Sequence, residues 1–308
     1  MKILLLGGAG FIGLNLAGAL VRCGHEVHIA DRSTGFADYG RPVPKVAGRH
    51  VILSNDIAQL QTTIDELGIE CVIGLVSSLI PSSTLDDLET EMAQVITPTY
   101  RLLDHLARRR ISFVYVSSGG TVYGPSDKLS IAETEPLRPI NYYGCSKVLF
   151  EQYLAFVGRA QQLRHMILRP SNPFGPFQNP HRKQGLVAVA VDKVLHGQPV
   201  EIWGDGSVVR DYLWVEDLAG AMADLLSKEE AWGRIFNVGS GQGHSIRDLL
   251  AMIGALTGKP VEVRYLETRA VDVPRLVLDI SRLRETIDFR PRNLHDALAL
   301  YLDGLQQR

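Results

Sequence analysis

Short, nearly unbroken apolar runs alternate with longer stretches in which apolar residues recur every three or four positions along the first half of the chain. The runs at 3–6, 26–30, 51–54, 71–76, 113–117 and 165–169 predict strands, and the stretches at 11–22, 89–109 and 142–158 predict helices. A strand that is apolar at every position is covered on both faces. Its alternation with helices predicts a doubly wound parallel sheet of the α/β class. After about Asn172 the texture changes. Prolines and glycines crowd 173–180, and shorter elements follow: helices at 184–196, 215–227 and 245–257, strands at 200–203 and 208–214. This predicts a domain over 1–171 and a smaller C-terminal lobe over 172–308 closing on it, with segments interleaved across the boundary.

The totals narrow the class of function. The 308 residues are 45% hydrophobic and 21% charged, ordinary for a soluble globular chain, and the formal charge of −2 gives no global field for nucleic acid or anionic membrane. Cys23, Cys71 and Cys145 are widely spaced and lack metal-ligand spacing, so no metal site is expected, and reduced thiols in a cytoplasmic protein are the simplest reading. The opening MKILLLG looks like a signal peptide only superficially. Its apolar run stops at Gly7, and no small-residue cleavage site follows. No stretch approaches the ~20 apolar residues needed to span a bilayer.

The first chemistry lies between the first strand and the first helix. Gly7, Gly10 and Gly13 recur at three-residue intervals, with Phe11 and Ile12 opening the helix. Glycines there let the backbone turn tightly and approach a pyrophosphate, and the helix N-terminus offers unpaired N–H groups to the anion. Asp31 ends the second strand, where a carboxylate accepts from both hydroxyls of an adenosine ribose and repels a 2′-phosphate. That favours NAD over NADP, although Arg32 beside it pulls the other way. Asp56 and Ile57 follow the third strand and are candidates for the adenine, a helix N-cap being the other use of Asp56.

The second chemistry is Tyr143 followed four residues later by Lys147, a spacing that puts both on one face of a helix. A tyrosine with its ordinary pKa of about 10 is a poor base, and bringing it near 7 takes roughly 4 kcal/mol of preference for phenolate. Two positive charges can supply that preference: the lysine and an oxidised nicotinamide ring.

With these residues the chain resembles the extended short-chain dehydrogenase/reductase family, and within it the nucleotide-sugar 4-epimerases. The resemblance rests on the glycine turn, Asp31, 117–124 (SSGGTVYG), 143–147, 169–176 (RPSNPFGP), 204–217 (GDGSVVRDYLWVED) and 269–274 (RAVDVP). It implies a Rossmann-type domain with a nucleotide-sugar-binding lobe. Tyr143 is then the general base, and Lys147 its pKa partner and a nicotinamide-ribose contact. Ser117 lies on the cofactor side and Asn172 on the nucleotide-sugar phosphates. Arg210 and Arg269 clamp the pyrophosphate, and Asp272 reaches the nucleoside ribose. Guanidinium forks match phosphate oxygens, so a pair of arginines suits a diphosphate.

Three positions depart from the family pattern. Gly119 stands where a Ser or Thr usually hydrogen-bonds the reacting sugar oxygen, Val95 where an asparagine is usual, and Gly74 where a histidine is usual. Loss of one preorganised donor costs about 2.7–4 kcal/mol of transition-state stabilisation. Ser118, Thr121, Ser77 and Ser78 are the candidate substitutes, Ser78 also as a substrate contact. The expectation is that Gly119 makes room for a bulky sugar substituent while Thr121 or Ser118 supplies the hydroxyl. The implied reaction is NAD-dependent 4-epimerisation of a nucleotide sugar, UDP-hexose by default, through a transient 4-keto sugar. A 4,6-dehydratase typically places an Asp-Glu pair where this chain has Gly120 and Thr121. A decarboxylase, a 4-keto reductase and a non-catalytic NAD-binding protein are the other readings. The helices at 89–109 and 142–158 resemble those that pair across a four-helix homodimer interface in the family.

Overall fold

The computed structural model describes residues 1–31, 50–52, 56–181, 185–267 and 273–306. Arg32, Arg269 and Asp272 lie outside the described residues. The first half runs β1 (Lys2–Leu6), α1 (Phe11–Arg22), β2 (Glu26–Asp31), β3 (His50–Ile52), α2 (Ile57–Leu67), β4 (Cys71–Gly74), α3 (Leu85–Glu91), α4 (Thr97–Arg109), β5 (Ser112–Val116), α5 (Tyr142–Gln161) and β6 (His165–Pro170). The second half runs β7 (Asn172–Phe174), α6 (Leu186–Leu195), β8 (Val200–Trp203), β9 (Val209–Arg210), β10 (Tyr212–Trp214), α7 (Val215–Leu226), β11 (Ile235–Val238), β12 (His244–Ser245), α8 (Ile246–Thr257), β13 (Val263–Leu266), β14 (Arg275–Leu276), α9 (Ser281–Thr286) and α10 (Leu294–Gln306).

Seven strands form one sheet in the order β11-β6-β5-β4-β1-β2-β3, and every pairing in it is parallel. The apolar runs explain it. Ile3, Leu4 and Leu5 are each 0% exposed because one face of the sheet packs on α1 and α7 and the other on α2, α4 and α5. Full burial of such a side chain is worth about 1.5–3 kcal/mol. The strand order reverses between β1 and β4, and in open α/β sheets ligands bind outside the strand C-termini at that switch point. After residue 172 the chain builds a second core from α6, α8, α10 and the short strands β7, β8 and β10, while α7 and β11 return to the large sheet.

Two elements differ from their sequence expectation. The helix expected over 89–109 is α3, a π-helical turn at Met92–Ile96, and then α4. Pro98 has no N–H for the carbonyl four residues earlier, so the ladder cannot run through as a regular α-helix. The strand expected over 208–214 is broken at Asp211. There the chain leaves β12 and β14, which flank β9, and joins β7 through β10. The fully buried Asp211 carboxylate fixes the break by accepting from Ser240 N and Oγ, Gly241 N and Leu278 N.

Candidate active site

A cavity of about 860 Å³ runs across the strand C-termini from the glycine turn to the second lobe. At one end Gly7 takes φ +79°, open to glycine without strain. A Cβ on Gly13 would come within 2.5 Å of Gly8 O, so α1 packs directly on the turn. Gly10 is different. A Cβ there would meet only Gly7 O at 3.4 Å, and its open side faces the cavity. Gly10 also precedes α1 without any side-chain cap, which leaves the helix N–H groups to an anion. Phe11, Ile12 and Asp31 line the same end, and Asp31 Oδ2 accepts from Ala9 N at 3.0 Å. This cradle fits a dinucleotide. Asp56 instead caps α2, accepting from Ala58 N at 2.9 Å, and Ile57 packs against the core beneath it; neither is on the cavity wall.

Tyr143 and Lys147 sit on the first turns of α5, which Asn141 caps by accepting from Gly144 N. A Cβ on Gly144 would lie 2.6 Å from Thr121 O, so α5 is pressed onto the 117–124 turn. Lys147 is 4% exposed, donates to Val116 O at 3.0 Å, and holds its ammonium 5.5 Å from the centre of the Tyr143 ring. Burial pulls its pKa down to about 8, against the upward pull of the Glu91 and Glu151 carboxylates. The Tyr143 ring opens on the cavity, but protein surrounds the phenol closely enough that burial pushes its pKa up. A hydrogen bond with Ser118 pulls it down and Glu91 pushes it up.

The expectation for Gly119 is corrected. A Cβ there would come within 2.6 Å of Leu278 Cδ1 and 2.9 Å of Arg169 O, so the position faces packed protein and makes no room for a sugar. Ser118, next to it in the chain, is the hydroxyl that acts on the phenol, lowering its pKa. Gly120 is the open position: a Cβ would meet Asn172 Oδ1, Ser118 Oγ and Ser171 O no closer than 3.7 Å. Ser78 is turned elsewhere. Its hydroxyl and its N–H both donate to the buried Glu91 carboxylate, while Ser77 lines the cavity. Ser117 lines the cavity too, with its hydroxyl donating to Glu151.

Glu151 belongs to a buried network that sequence reasoning missed. It lies one helical turn past Lys147 and pairs with Arg169 through three hydrogen bonds, both side chains being at most 3% exposed. Arg169 also donates to Tyr123 Oη, which donates to Asn237. Only the spacing of Glu151 after Lys147 pointed there. Glu91, 2% exposed on the turn before the π-helical segment, carried no signal at all.

At the other end Asn172 donates to Asp211 O and Arg210 to Val273 O, and both line the cavity with Trp203. Among the described residues, four that line the cavity keep a buried polar atom with no hydrogen-bond partner: Thr121 Oγ1, Ser171 Oγ, Gln178 Oε1 and Tyr212 Oη. Such atoms are costly unless a ligand meets them.

The model of the NAD dependent epimerase/dehydratase family matches residues 3–239. The chain belongs to that family. Among its epimerase/dehydratase relatives, a UDP-glucose 4-epimerase of Mycolicibacterium smegmatis is 32% identical over 297 residues, 95% of this chain and 94% of the relative. A Thermus thermophilus UDP-glucose 4-epimerase solved in complex with NAD superposes with a TM-score of 0.89 at 30% identity, covering 99% of each chain. A Thermotoga maritima UDP-glucose 4-epimerase solved with UDP-glucose gives a TM-score of 0.89 at 28% identity, covering 100% of this chain and 99% of that one. Similarity over the full length, rather than over the dinucleotide half alone, extends to the lobe that carries Arg210.

Proposed function

We infer that the chain is an NAD-dependent nucleotide-sugar 4-epimerase acting on a UDP-hexose. One observation carries this: a single cavity is lined in turn by a dinucleotide cradle, a Tyr143–Lys147–Ser118 cluster and a wall bearing Arg210. Gly7, Gly10 and Gly13 with the N-terminus of α1 hold the pyrophosphate of the cofactor, and Asp31 its adenosine ribose. NAD, when bound, supplies the hydride acceptor and a positive charge. In the protein alone burial holds the Tyr143 phenol above its ordinary value, and the positive charge of the bound cofactor would add to that of Lys147 in lowering it. Tyr143 takes the proton of the sugar 4-hydroxyl as the C4–H bond gives up its hydride, leaving a 4-keto sugar. Ser118 hydrogen-bonds the same oxygen. Arg210, with Arg269 and Asp272, keeps the nucleotide while the sugar turns. Tyr143 then returns the proton as hydride adds to the opposite face, so net redox is zero.

The dehydratase reading lacks its chemistry here, since Gly120 and Thr121 place no carboxylate beside the reacting sugar. The test is direct: purified protein with UDP-glucose or UDP-galactose, products resolved by chromatography, and Tyr143→Phe beside wild type. Epimer formation that Tyr143→Phe slows by about 10²–10⁴-fold is expected; tight NAD binding without turnover of any nucleotide sugar would leave a non-catalytic binding protein.

Three coarser features complete the reading. We assign the cofactor to 1–171 and the nucleotide sugar to 172–308, with the large sheet shared between them. Leu149 and Phe156 expose 45% and 52% of their surface on α5, Phe156 beside Tyr153, which stacks on Tyr100 of α4, and they support a homodimer through α4 and α5. Light scattering at micromolar concentration that gives a monomer mass would remove it. Three free thiols suit the cytoplasm, and no described helix is long and apolar enough to cross a membrane.

A further inference from the structure

We propose that the Tyr212 hydroxyl is a ligand-binding group that donates a hydrogen bond to the bound nucleoside diphosphate beside Arg210. The proposal rests on the nucleotide-sugar reading and adds to it a residue that no sequence signal marked. Along an extended segment alternate side chains share a face. Asp211 points into the protein, held by Ser240, Gly241 and Leu278, so its neighbours Arg210 and Tyr212 both face the cavity. Tyr212 is 4% exposed, and its Oη is one of the buried polar atoms with no protein partner.

Among the described residues nothing serves that hydroxyl. Burial pushes its pKa up to about 12, so it stays protonated and can act as a donor. Arg210 is a donor only and cannot accept from it. The Asp248 carboxylate acts on it only through space: it caps α8 through Oδ2, accepting from Ser245 N at 2.9 Å and Ser245 Oγ at 2.7 Å, and makes no hydrogen bond with Tyr212. Val208, Ile246 and Val273 on the adjoining wall have apolar side chains. The ring itself packs in the second core, a task phenylalanine performs equally well. What the hydroxyl adds to the ring is therefore an unmet donor beside a guanidinium. An acceptor-only anion such as a diphosphate complements that pair, and charge-assisted hydrogen bonds of this kind are the strong ones.

The experiment is Tyr212→Phe in the full-length protein, with UDP affinity by titration calorimetry and thermal unfolding measured without nucleotide. UDP binding about 10–100-fold weaker than wild type is expected, the range for losing one hydrogen bond to a charged group. The unfolding midpoint is expected to stay level or rise, because the substitution removes an unsatisfied buried group. Equal UDP affinity in variant and wild type overturns the proposal and leaves the epimerase reading intact. A lowered midpoint overturns it too, as it makes the hydroxyl structural. Wild type that fails to bind UDP at all overturns the nucleotide-sugar reading and this proposal with it.

Discussion

The buried Arg169–Glu151 pair beneath the 117–124 turn should behave as a unit that cannot lose one member. Arg169→Met removes the guanidinium from the Glu151 carboxylate, 2% exposed, and leaves it the Ser117 hydroxyl as a hydrogen-bond donor. Removing one partner of a buried pair costs about 3–5 kcal/mol, because the surviving charge has lost both water and counter-charge. Against a total stability of about 5–15 kcal/mol that is a large share. Removing both charges is different: Glu151→Met with Arg169→Met fills a similar volume and should cost far less than the sum of the singles. Urea denaturation of the four proteins gives the coupling energy. A single variant that loses less than about 1 kcal/mol would refute the view that a buried charge pair fixes this turn.

Other expectations follow from the same geometry. Lys147 is held at about 8 instead of 10.5, so its buried ammonium costs the fold roughly 3 kcal/mol at neutral pH, a cost that disappears as pH rises through that window. Lys147→Met should raise the denaturation midpoint at pH 7 while suppressing turnover; a lowered midpoint contradicts it. Turnover should decline as pH rises past about 8, and Glu91→Gln, which removes an anion supporting the ammonium, should move that decline to lower pH; an unmoved pH profile counts against Glu91. Ser118→Ala should lower kcat by about 10²-fold, as loss of one oxyanion-type donor does. Gly119→Ser should restore nothing and destabilise by about 1–3 kcal/mol through its clash with Leu278 and Arg169 O, read by thermal unfolding.

The sheet was legible because each of its strands up to β6 is a run of apolar residues and the glycine turn marks β1 and α1. What periodicity could not show was a break caused by one residue. Pro98 interrupts a helix whose apolar spacing continues through it, and Asp211 divides a strand whose flanking residues are mostly strand formers. The site divides in the same way. Tyr143 and Lys147 follow from helical spacing, but the choice between Ser118 and Gly119 depends on a turn of the backbone that no pattern encodes. The alignment of Gly119 with a lost hydroxyl was misleading for that reason. Glu91, Glu151 and Arg169 stayed hidden because a buried charge looks like a surface charge until its partner across the fold is placed.

A 4-epimerase faces opposing demands, and the architecture divides them between its two lobes. The groups that handle the C4 oxygen must be rigid, since a 1 Å misplacement can cost about 10²-fold in rate. In the proposed site Ser118 sits on the turn after β5, braced by the Arg169–Glu151 pair, and Tyr143 and Lys147 sit on α5, which is pressed onto that turn at Gly144. The keto sugar, in contrast, must be free to present its other face to the same hydride acceptor. A firm multidentate grip on the sugar ring would block that rotation, so the binding energy has to sit elsewhere. In the function proposed above it falls to the second lobe, where Asp211 locks the segment that bears Arg210 and Tyr212. Near the phenol the wall offers Gly120, which has no side chain, and short hydroxyls at Ser118, Thr121 and Ser171. Such groups can meet an oxygen in either orientation of the sugar without holding the ring.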